Sequence, residues 1–376
     1  KNSGGKIAIL TPTVLSASTK SLINDFSNKY NNVVHVQMDS VSYNGILNAN
    51  DSSFGVRALP SYYFDQANVI VSFGADFLAN WLGCDYAIDY AKARNPESGK
   101  MVKHYQIEST LSLSGSNADE RLQIKPSEQS GLLYNLYTAI NGGKADSRIA
   151  KIANDLLKNK GKSIVVCNSN DSQVQILVNA INNKLGNYEN TMSLKKPSFL
   201  RQGNDTDVAM LIKEMNSGKI SALFTHNVNP SYTLKNASEY NEGISKVDLT
   251  VATSIYHDES ASKMMYSLPD NHYLESWGDA NPSHGFYTLM QPTIAPLFNS
   301  RQFQESIMIW MGEDNYHQYL QNFYKDIDWN RSLHDGYFTK NINDQDISPF
   351  SSSVPSFALL KSNAIEFEVY EKISMG

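Results

Sequence analysis

The 376-residue sequence contains only two cysteines, Cys84 and Cys167, which lie far apart in the chain. Iron–sulfur clusters need three or four thiolates, and structural zinc sites need closely spaced Cys or His pairs, so neither kind of centre can be built here. Two cysteines alone do not establish a disulfide, and we expect two buried free thiols. Cysteine usage therefore leaves the redox compartment open.

The sequence also lacks an excess of positive charge and a long apolar run. Its 32 basic and 38 acidic side chains give a net charge of −6, which argues against a nucleic-acid-binding groove. No apolar run approaches the roughly 18 residues that a membrane-spanning helix requires, so we expect no direct membrane insertion. With 21 glycines and 12 prolines, the composition is not typical of collagen-like or low-complexity proteins.

What the sequence does contain is enough apolar material for large cores, since hydrophobic residues make up 41% of it and aromatic residues 11%. At roughly 150 residues per domain, its length predicts two or three domains. The chain does not begin with Met and its first residues hold no signal-peptide core, so we expect it to be part of a longer gene product.

Strand-like and helical patterns alternate along most of the chain. Apolar runs such as 6–10, 67–76 and 162–167 favour strands, whereas the spacing in 18–30 and 127–140 favours helices. Such alternation is typical of βαβ units and parallel sheets. We therefore predict an α/β fold of two Rossmann-like three-layer units with mainly parallel sheets, one inserted in the other.

Local signals suggest the boundaries of these units. The pair Gly142-Gly143 separates two cycles of strand–helix alternation. From Met264 onward the composition changes, because prolines become frequent. We predict a first domain of residues 1–144 plus 263–376 and an inserted second domain of residues 145–262. The helix 127–140 is expected to begin at Ser127, whose hydroxyl can accept a hydrogen bond from a free N–H.

Parallel sheets bind ligands at the carboxyl ends of their strands, so the residues after each strand are the place to look for chemistry. The G-x-G-x-x-G fingerprint is missing there: the chain has Thr11-Pro12-Thr13 and Gly74-Ala75-Asp76 instead, which argues against a plain NAD or FAD site. No G-x-S-x-G elbow of a serine hydrolase occurs either. The similar Leu113-Ser114-Gly115-Ser116 is interpreted as a polar loop.

Two polar clusters remain. His257-Asp258-Glu259 with His272, Glu275 and Asp279 contains residue types that bind metals or relay protons, but neighbouring strand residues point to opposite faces, so we favour solvated loop residues. The turn Asn227-Val228-Asn229-Pro230 follows an apolar run. Its Asn side chains could bind the polar edge of a ligand or close Asx-turns on their own backbone, and both interpretations stay open.

Five segments then follow one another in a characteristic order: ANVIVSFGAD at 67–76, YQIESTLSLSGSNADERLQIKPSEQ at 105–129, SIVVCNSN at 163–170, LFTHNVNP at 223–230, and the run 247–279. Their order and spacing resemble the molybdopterin oxidoreductase family, the DMSO-reductase superfamily, over most of residues 6–300. In an active member, the resemblance implies that bis-molybdopterin guanine dinucleotide would be bound at strand-end positions corresponding here to Gly74, Asp76, Glu108, Asn227 and Asn229.

A narrower resemblance is carried by DFLANWLG, YAKARNPE, HYLESWGDA and QPTIAPLFNSRQFQESIMIW. These segments resemble the large periplasmic iron–sulfur subunit of bacterial alternative complex III, a respiratory quinol oxidoreductase. The resemblance implies a periplasmic location and membrane association through partner subunits. It also implies as partners the iron–sulfur domain of the same polypeptide and the haem and membrane quinol-oxidising subunits.

The chain departs from the family where the cofactor would be held. The family's metal ligand is Cys, selenocysteine or Ser, and residues 38–48 offer only Ser40 or Ser42. Glu108 and Ser109 replace the Asp and Arg of the family's Asp-Pro-Arg signature. We therefore predict a scaffold with no cofactor, bound metal or catalytic residue in this chain.

Two alternatives are retained. The first is an active molybdopterin-dependent oxidoreductase of the polysulfide or thiosulfate reductase kind, with Ser40 or Ser42 on the metal. The second is a periplasmic small-ligand-binding protein, which shares two α/β lobes but does not explain the ordered motifs. For the scaffold, we expect a docking face among the aromatic residues Trp310, Tyr316, Tyr319, Phe323, Tyr324, Trp329 and Tyr337, although an ordinary core would also use many of them.

Overall fold

A computed structural model of the chain describes residues 5–79, 81–83, 86–360 and 362–369. Within these ranges the strands are β1 (Lys6–Thr11), β2 (Val33–Gln37), β3 (Leu59–Tyr62), β4 (Val69–Phe73), β5 (Lys103–Glu108), β6 (Glu120–Gln123), β7 (Ser163–Cys167), β8 (Met192–Ser198), β9 (Ile220–His226), β10 (Leu249–Ser254), β11 (Tyr266–Pro269), β12 (Gly278–Ser283), β13 (Phe286–Met290) and β14 (Tyr337–Thr339).

The helices of the same described ranges alternate with these strands through most of the chain. They are α1 (Ala17–Lys29), α2 (Asn44–Phe54), α3 (Ala87–Ala93), α4 (Leu113–Ser116), α5 (Gln129–Ile140), α6 (Ala150–Lys158), α7 (Ser172–Leu185), α8 (Asp205–Asn216), α9 (Pro230–Thr233), α10 (Ala237–Ile244), α11 (Phe303–Met311), α12 (Tyr316–Phe323) and α13 (Trp329–Asp335). Among the described residues, no helix combines the length and the apolar character needed to cross a bilayer.

The chain divides into two compact units, Lys1–Ser42 with Arg201–Ile342, and Tyr43–Leu200 with Asn343–Gly376. The first unit is built on a parallel sheet in the order β11-β10-β9-β1-β2. Side chains alternate between its two faces: Ala8 and Leu10 pack with residues of α8 and α10, while Ile9 packs with residues of α1 and α11. An antiparallel arrangement of β12, β13 and β14 completes this unit.

The second unit is built on a parallel sheet in the order β6-β5-β4-β7. Its central strand β4 is buried along its whole length, which is why its sequence is a nearly continuous apolar run. Residues of α5, α6 and α7 cover one face, and residues of α2 and α3 cover the other. Both units are thus three-layer α/β structures with parallel sheets, and the predicted fold class is confirmed.

The grouping of segments differs from the predicted boundaries of 1–144 plus 263–376 and 145–262. Strands on both sides of Gly142-Gly143 share one sheet, because β7 pairs with β4 from Val69↔Ser163 onward. The later strand β9 instead pairs with β1. Local pattern locates strands, but it carries little information on which distant strand each one joins.

Three local predictions also differ from the structure. The helix predicted from Ser127 begins as α5 at Gln129, after a 3-10 turn at Pro126–Glu128, and the Ser127 hydroxyl donates a hydrogen bond instead of capping. The Leu113–Ser116 segment forms the one-turn helix α4. Of the aromatic residues expected on a docking face, Tyr316 and Tyr324 are buried in the core. Cys167 is a buried free thiol as expected, and Cys84 lies outside the described residues.

Candidate functional site

The candidate residues lie at the carboxyl edges of the two parallel sheets. In the second unit, Gly74 follows β4 and Glu108 is the last residue of β5. In the first unit, Asn227 and Asn229 follow β9. The expectation that these residues occupy strand ends is met, and each group is described here within its own unit.

Gly74 is required by the backbone that leaves β4. Its φ of +71° lies in the left-handed region, and its N–H donates to the Ile107 carbonyl at 2.9 Å. A Cβ at this position would stand 2.7 Å from the Asn168 side chain. Gln129 Nε2 closes the arrangement by donating to the Phe73 carbonyl at 3.1 Å and to Asn168 Oδ1 at 2.9 Å. Glycine is therefore required here by both the backbone conformation of the turn and the close packing of Asn168.

Asp76 is engaged by the segment around α4. Its Oδ1 accepts hydrogen bonds from the Ser114 N–H and from the Ser114 hydroxyl, both at 2.8 Å. Its Oδ2 accepts a longer one from the Leu113 N–H at 3.4 Å. The carboxylate thus caps a short helix from outside, with the negative charge at the helix N-terminus where it is stabilising.

Glu108 is only 3% exposed and has four donors of its own chain around it. Arg121 Nε donates at 2.7 Å, the Ser112 hydroxyl at 2.6 Å, the Ser112 N–H at 3.2 Å and Gln106 Nε2 at 2.9 Å. Burial by itself raises the pKa of Glu108, but the hydrogen bonds, led by Arg121, lower its pKa overall. A Cβ at Gly115 would collide with this carboxylate.

A buried polar row runs back along β5 from Glu108. Gln106 Oε1 lies 3.1 Å from His104 Nε2, and His104 Nδ1 lies 3.1 Å from the Tyr90 hydroxyl. Burial lowers the pKa of His104 to about 4, so the imidazole is neutral at pH 7. Sequence reasoning missed this row. The available signal was the alternation of His104, Gln106 and Glu108 along β5, which places all three side chains on one face of the strand.

The turn after β9 is held by its neighbours in the first unit. Asn227 has a φ of +48°, and its N–H donates to the Thr253 carbonyl at 3.0 Å. Asn229 Nδ2 donates to Glu259 Oε2 at 2.6 Å, and Asn229 Oδ1 accepts from the Ser260 hydroxyl at 2.7 Å. The Asn229 side chain therefore ties β9 to the loop after β10. This role differs from both interpretations of the sequence, a ligand contact or an Asx-turn on its own backbone.

The same edge contains a histidine–carboxylate pair that sequence reasoning did not identify. His226 Nδ1 lies 3.2 Å from Asp270 Oδ2 and 3.1 Å from the Thr253 hydroxyl, and the imidazole stacks on Phe303 with ring centroids 4.0 Å apart. Asp270 Oδ1 also accepts from the Phe303 N–H at 3.0 Å. The pair joins β9, β11 and the start of α11, so it organises the edge of the sheet.

The acidic residues of the predicted cluster do not converge. Asp258 Oδ1 accepts from the N–H groups of residues 260 and 261, and Glu275 accepts from the His272 and Leu297 N–H groups. Glu275 and Asp279 are buried, so the prediction of solvated loop residues is wrong for these two. Within the described ranges, no group of three His, Cys, Asp or Glu side chains could hold a metal ion.

Asp279 has a structural role at the start of α1. It is 4% exposed, and its oxygens accept hydrogen bonds from the Ser16 and Ser18 hydroxyls, the Ala17 N–H at 2.9 Å and the Tyr324 hydroxyl at 2.6 Å. A buried carboxylate at a helix N-terminus satisfies N–H groups that have no partner inside the helix. This anchoring role was not visible in the sequence, because residues 17 and 279 are far apart in the chain.

The two serines considered as metal ligands lie after β2. The Ser42 hydroxyl donates to Asp205 Oδ2 at 2.6 Å, and Ser40 is exposed. Next to them, Asp39 accepts hydrogen bonds from the Thr13 N–H and hydroxyl at 3.1 and 2.9 Å and from the Gly203 N–H at 3.0 Å. This segment is thus tied to loops of its own unit.

A cavity of about 620 Å³ lies in the first unit at the other end of the strands. It contacts the first residues of β9 and β10, and its lining is mainly apolar: Ile7, Phe26, Tyr30, Ser221, Ala222, Phe224, Asp248, Leu249 and Trp310. The candidate residues follow the opposite, carboxyl ends of the strands, so this cavity is separate from them.

Comparison with known proteins is consistent with this architecture. A family model described as "Molybdopterin oxidoreductase" matches residues 4–304. No curated protein matches the chain. Acetylene hydratase from Pelobacter acetylenicus is a structural neighbour with a TM-score of 0.68 at 13% identity, covering 89% of this chain. The formyltransferase/hydrolase complex from Methylorubrum extorquens, in complex with methylofuran, matches with a TM-score of 0.53 at 12% identity, covering 81% of this chain and 90% of that one.

At such identities the two structures show the fold alone. The chain spans 60% of the acetylene hydratase chain, so it corresponds to a part of that protein.

Proposed function

We propose that this chain, which belongs to the molybdopterin oxidoreductase family, is a cofactor-free scaffold domain of a respiratory quinol oxidoreductase, the alternative complex III. Electron transfer would be carried by clusters and haems in other parts of the complex. The partners would be the iron–sulfur domain of the same polypeptide and the haem and membrane quinol-oxidising subunits. The location would be periplasmic, with membrane association through those subunits.

The observation that carries the proposal is that the carboxylates at the strand ends accept hydrogen bonds from residues of their own unit. Asp76 is engaged by Ser114, and Glu108 by Arg121, Ser112 and Gln106, all within the same unit. A pterin dinucleotide bound at this edge needs free donors and acceptors for its pterin rings and phosphates. These residues fit that group poorly, because Glu108 already accepts four hydrogen bonds from its own chain and Asp76 Oδ1 already accepts two from Ser114.

The donor set for the metal points in the same direction. Residues 38–48 contain no thiol, and of the two serines that could replace one as the metal ligand, Ser42 donates its hydroxyl hydrogen to Asp205 Oδ2 at 2.6 Å. Asn229 is likewise committed to Glu259 and Ser260. Asp76, Glu108 and Asn229 thus all have structural partners in their own units, which supports a scaffold.

An exposed apolar stretch of the first unit supports the proposed assembly role. Large apolar side chains are exposed along residues 255–298, with Phe298 81% and Tyr256 77% exposed. Large exposed apolar patches on a protein surface mark sites of protein–protein contact. We expect this surface to contact a partner subunit, with Phe323 and Tyr337 as the exposed members of the aromatic set predicted from the sequence.

The first test is elemental and pterin analysis of the longest native chain, purified with its partners. We expect at most a trace of molybdenum or tungsten and no pterin. One metal and two pterins per chain would refute the scaffold and favour an active oxidoreductase, with Gly74, Asp76, Glu108, Asn227 and Asn229 at its cofactor.

The second test concerns assembly. The double substitution Leu297→Asp and Phe298→Asp should abolish co-purification of the partner subunits while leaving the thermal midpoint of the chain unchanged. Met210→Asp, at an isolated exposed position on α8, is the matched control and should assemble normally. Normal assembly of the double variant would contradict the assignment of this surface.

A further inference from the structure

The cavity of about 620 Å³ in the first unit has a floor made by three neighbouring strands. Ile7 of β1 pairs with Ala222 of β9, and Ala222 pairs with Leu249 of β10. Residues that pair across in-register parallel strands lie in one row and project from the same face of the sheet. Ile7 belongs to the apolar cluster that α1 and α11 build on this face. The cavity therefore lies on that face, at the amino ends of the strands.

The cavity is rich in aromatic rings. Four of its lining residues, Phe26, Tyr30, Phe224 and Trp310, are aromatic, and we call them the aromatic wall. Ring centroids lie 4.8 Å apart for Phe26 and Tyr30, 6.3 Å apart for Phe26 and Phe224, and 4.8 Å apart for Phe224 and Trp310. The four rings thus form a continuous row from the end of α1 across β9 to α11.

Two hydrogen bonds fix the ends of this row. The Tyr30 hydroxyl donates to the Trp310 carbonyl, and Lys29 Nζ donates to the Met311 carbonyl. Both bonds join the carboxyl end of α1 to the carboxyl end of α11. The aromatic wall is therefore held in place by the chain itself, and a ligand would bind there without having to order it.

The charge at the cavity is negative. Asp248, directly before β10, is the only charged residue among the nine described residues of the lining. It is exposed, and its carboxylate has no hydrogen bond or ion pair with any residue that the structure describes. The lysines next to this region are already paired: Lys6 lies 2.8 Å from Glu214, and Lys246 lies 2.6 Å from Glu242. Asp248 is thus left to pair with a cation from outside.

These properties match one class of ligand. The cavity volume falls within the range of about 300–1,000 Å³ typical of small-molecule sites, which are mostly apolar and carry a few polar groups that fix orientation. Aromatic rings attract cations as well as apolar groups. An unpaired carboxylate beside such rings favours a positively charged ligand and repels an anion.

We propose that this cavity binds a small organic cation, an ammonium compound with an apolar body. The body lies against the aromatic wall, and the ammonium group pairs with Asp248. The site is at the amino ends of the strands, so it is separate from the carboxyl edges where the candidate cofactor residues lie. The inference therefore stands independently of the proposed function.

The test is calorimetric titration of the full chain with three compounds that share one apolar body. These are 4-phenylbutylamine, which is a cation at neutral pH, 4-phenylbutanol, which is neutral, and 4-phenylbutyrate, which is an anion. We expect saturable binding of the amine and about fivefold weaker binding of the alcohol, because the alcohol lacks the ion pair. The anion should bind more weakly still.

Three variants locate the site. Asp248→Asn should weaken binding of the amine about fivefold and leave binding of the alcohol unchanged. Asp326→Asn is the matched control: it removes an exposed carboxylate of the same unit that does not line the cavity, and both affinities should stay unchanged. Leu249→Trp fills the cavity from its floor and should abolish binding of amine and alcohol alike. Circular dichroism and the thermal midpoint show whether each variant is folded.

The proposal is overturned if the unsubstituted chain does not bind the amine saturably, or binds the alcohol equally well. It is also overturned if Asp248→Asn binds the amine as tightly as the unsubstituted chain, or if Asp326→Asn causes an equal loss. Because Asp248 is exposed, its substitution tests the proposal even if Leu249→Trp does not fold. Metal and pterin in the native chain would overturn the proposed function and leave this titration unaffected.

Discussion

Replacing Glu108 by Ala tests whether this carboxylate is structural. The change leaves the buried Gln106 amide and the Ser112 hydroxyl without their acceptor and breaks the ion pair with Arg121. Removing one partner of a buried ion pair typically costs about 3–5 kcal/mol. Arg121 keeps a quarter of its side chain exposed and can be rehydrated, so we expect the low end of that range, about 3 kcal/mol of unfolding free energy.

The assay is urea unfolding combined with amide hydrogen exchange of residues 109–117, which reports on the loop that Glu108 holds. Glu120→Ala is the matched control, because Glu120 lies on the adjacent strand β6, is 40% exposed, and pairs with Lys103 at 2.8 Å. An exposed pair of this kind is worth about 1 kcal/mol or less. If Glu108→Ala costs no more than Glu120→Ala and leaves exchange in the loop unchanged, the structural role is refuted.

The Glu108 carboxylate also gives the stability of the chain a pH dependence of definite sign. The pKa of Glu108 is lowered in the folded chain, while an unfolded Glu titrates at about 4.3. Its contribution to stability is therefore fully present above the unfolded value and is lost as the pH falls through the folded value. The stability difference between the unsubstituted chain and Glu108→Gln should shrink over that acidic interval and be constant near neutral pH.

Three further predictions concern other parts of the chain. Asp279→Ala should lower the unfolding free energy of the first unit by about 3 kcal/mol, measured by urea titration, because it leaves the Ala17 N–H and the Ser18 and Tyr324 hydroxyls without their acceptor; a loss below about 1 kcal/mol would contradict that role. Gly131→Ala should speed limited proteolysis within residues 343–369, because its Cβ would stand 2.6 Å from Leu359 Cα; an unchanged cleavage rate would show that this contact is not needed. Asn229→Ala should raise the pKa of Glu259 in an NMR titration, because the Asn229 hydrogen bond lowers it in the native chain; an unshifted titration would refute that contact.

Local sequence patterns predict much of the architecture. The strand β4 and the helix α7 were predictable, because a buried central strand must be apolar throughout and a packed helix must repeat its apolar residues every three to four positions. The α/β class and the family membership follow from the order of such segments. Gly74 could be placed at a strand end for the same reason, since a tight turn after a strand favours glycine.

Local patterns failed where an element is irregular or polar. The helix α2 was not predicted because its sequence, NGILNANDSSF, is rich in Asn and Ser, which favour turns and caps over helix interiors. The strand β11 is exposed along its whole length and so has no buried face to generate alternation. Such elements form because neighbouring parts of the unit supply partners for them.

What only the tertiary structure decided is which distant groups meet. Sequence placed Asp76, Glu108 and Asn229 at strand ends, where either a ligand or the protein itself could satisfy them. The fold brings Ser114 to Asp76, Arg121 to Glu108 and Ser260 to Asn229. The physical reason is that a buried polar group is stable only with a partner, and the identity of that partner depends on long-range chain pairing.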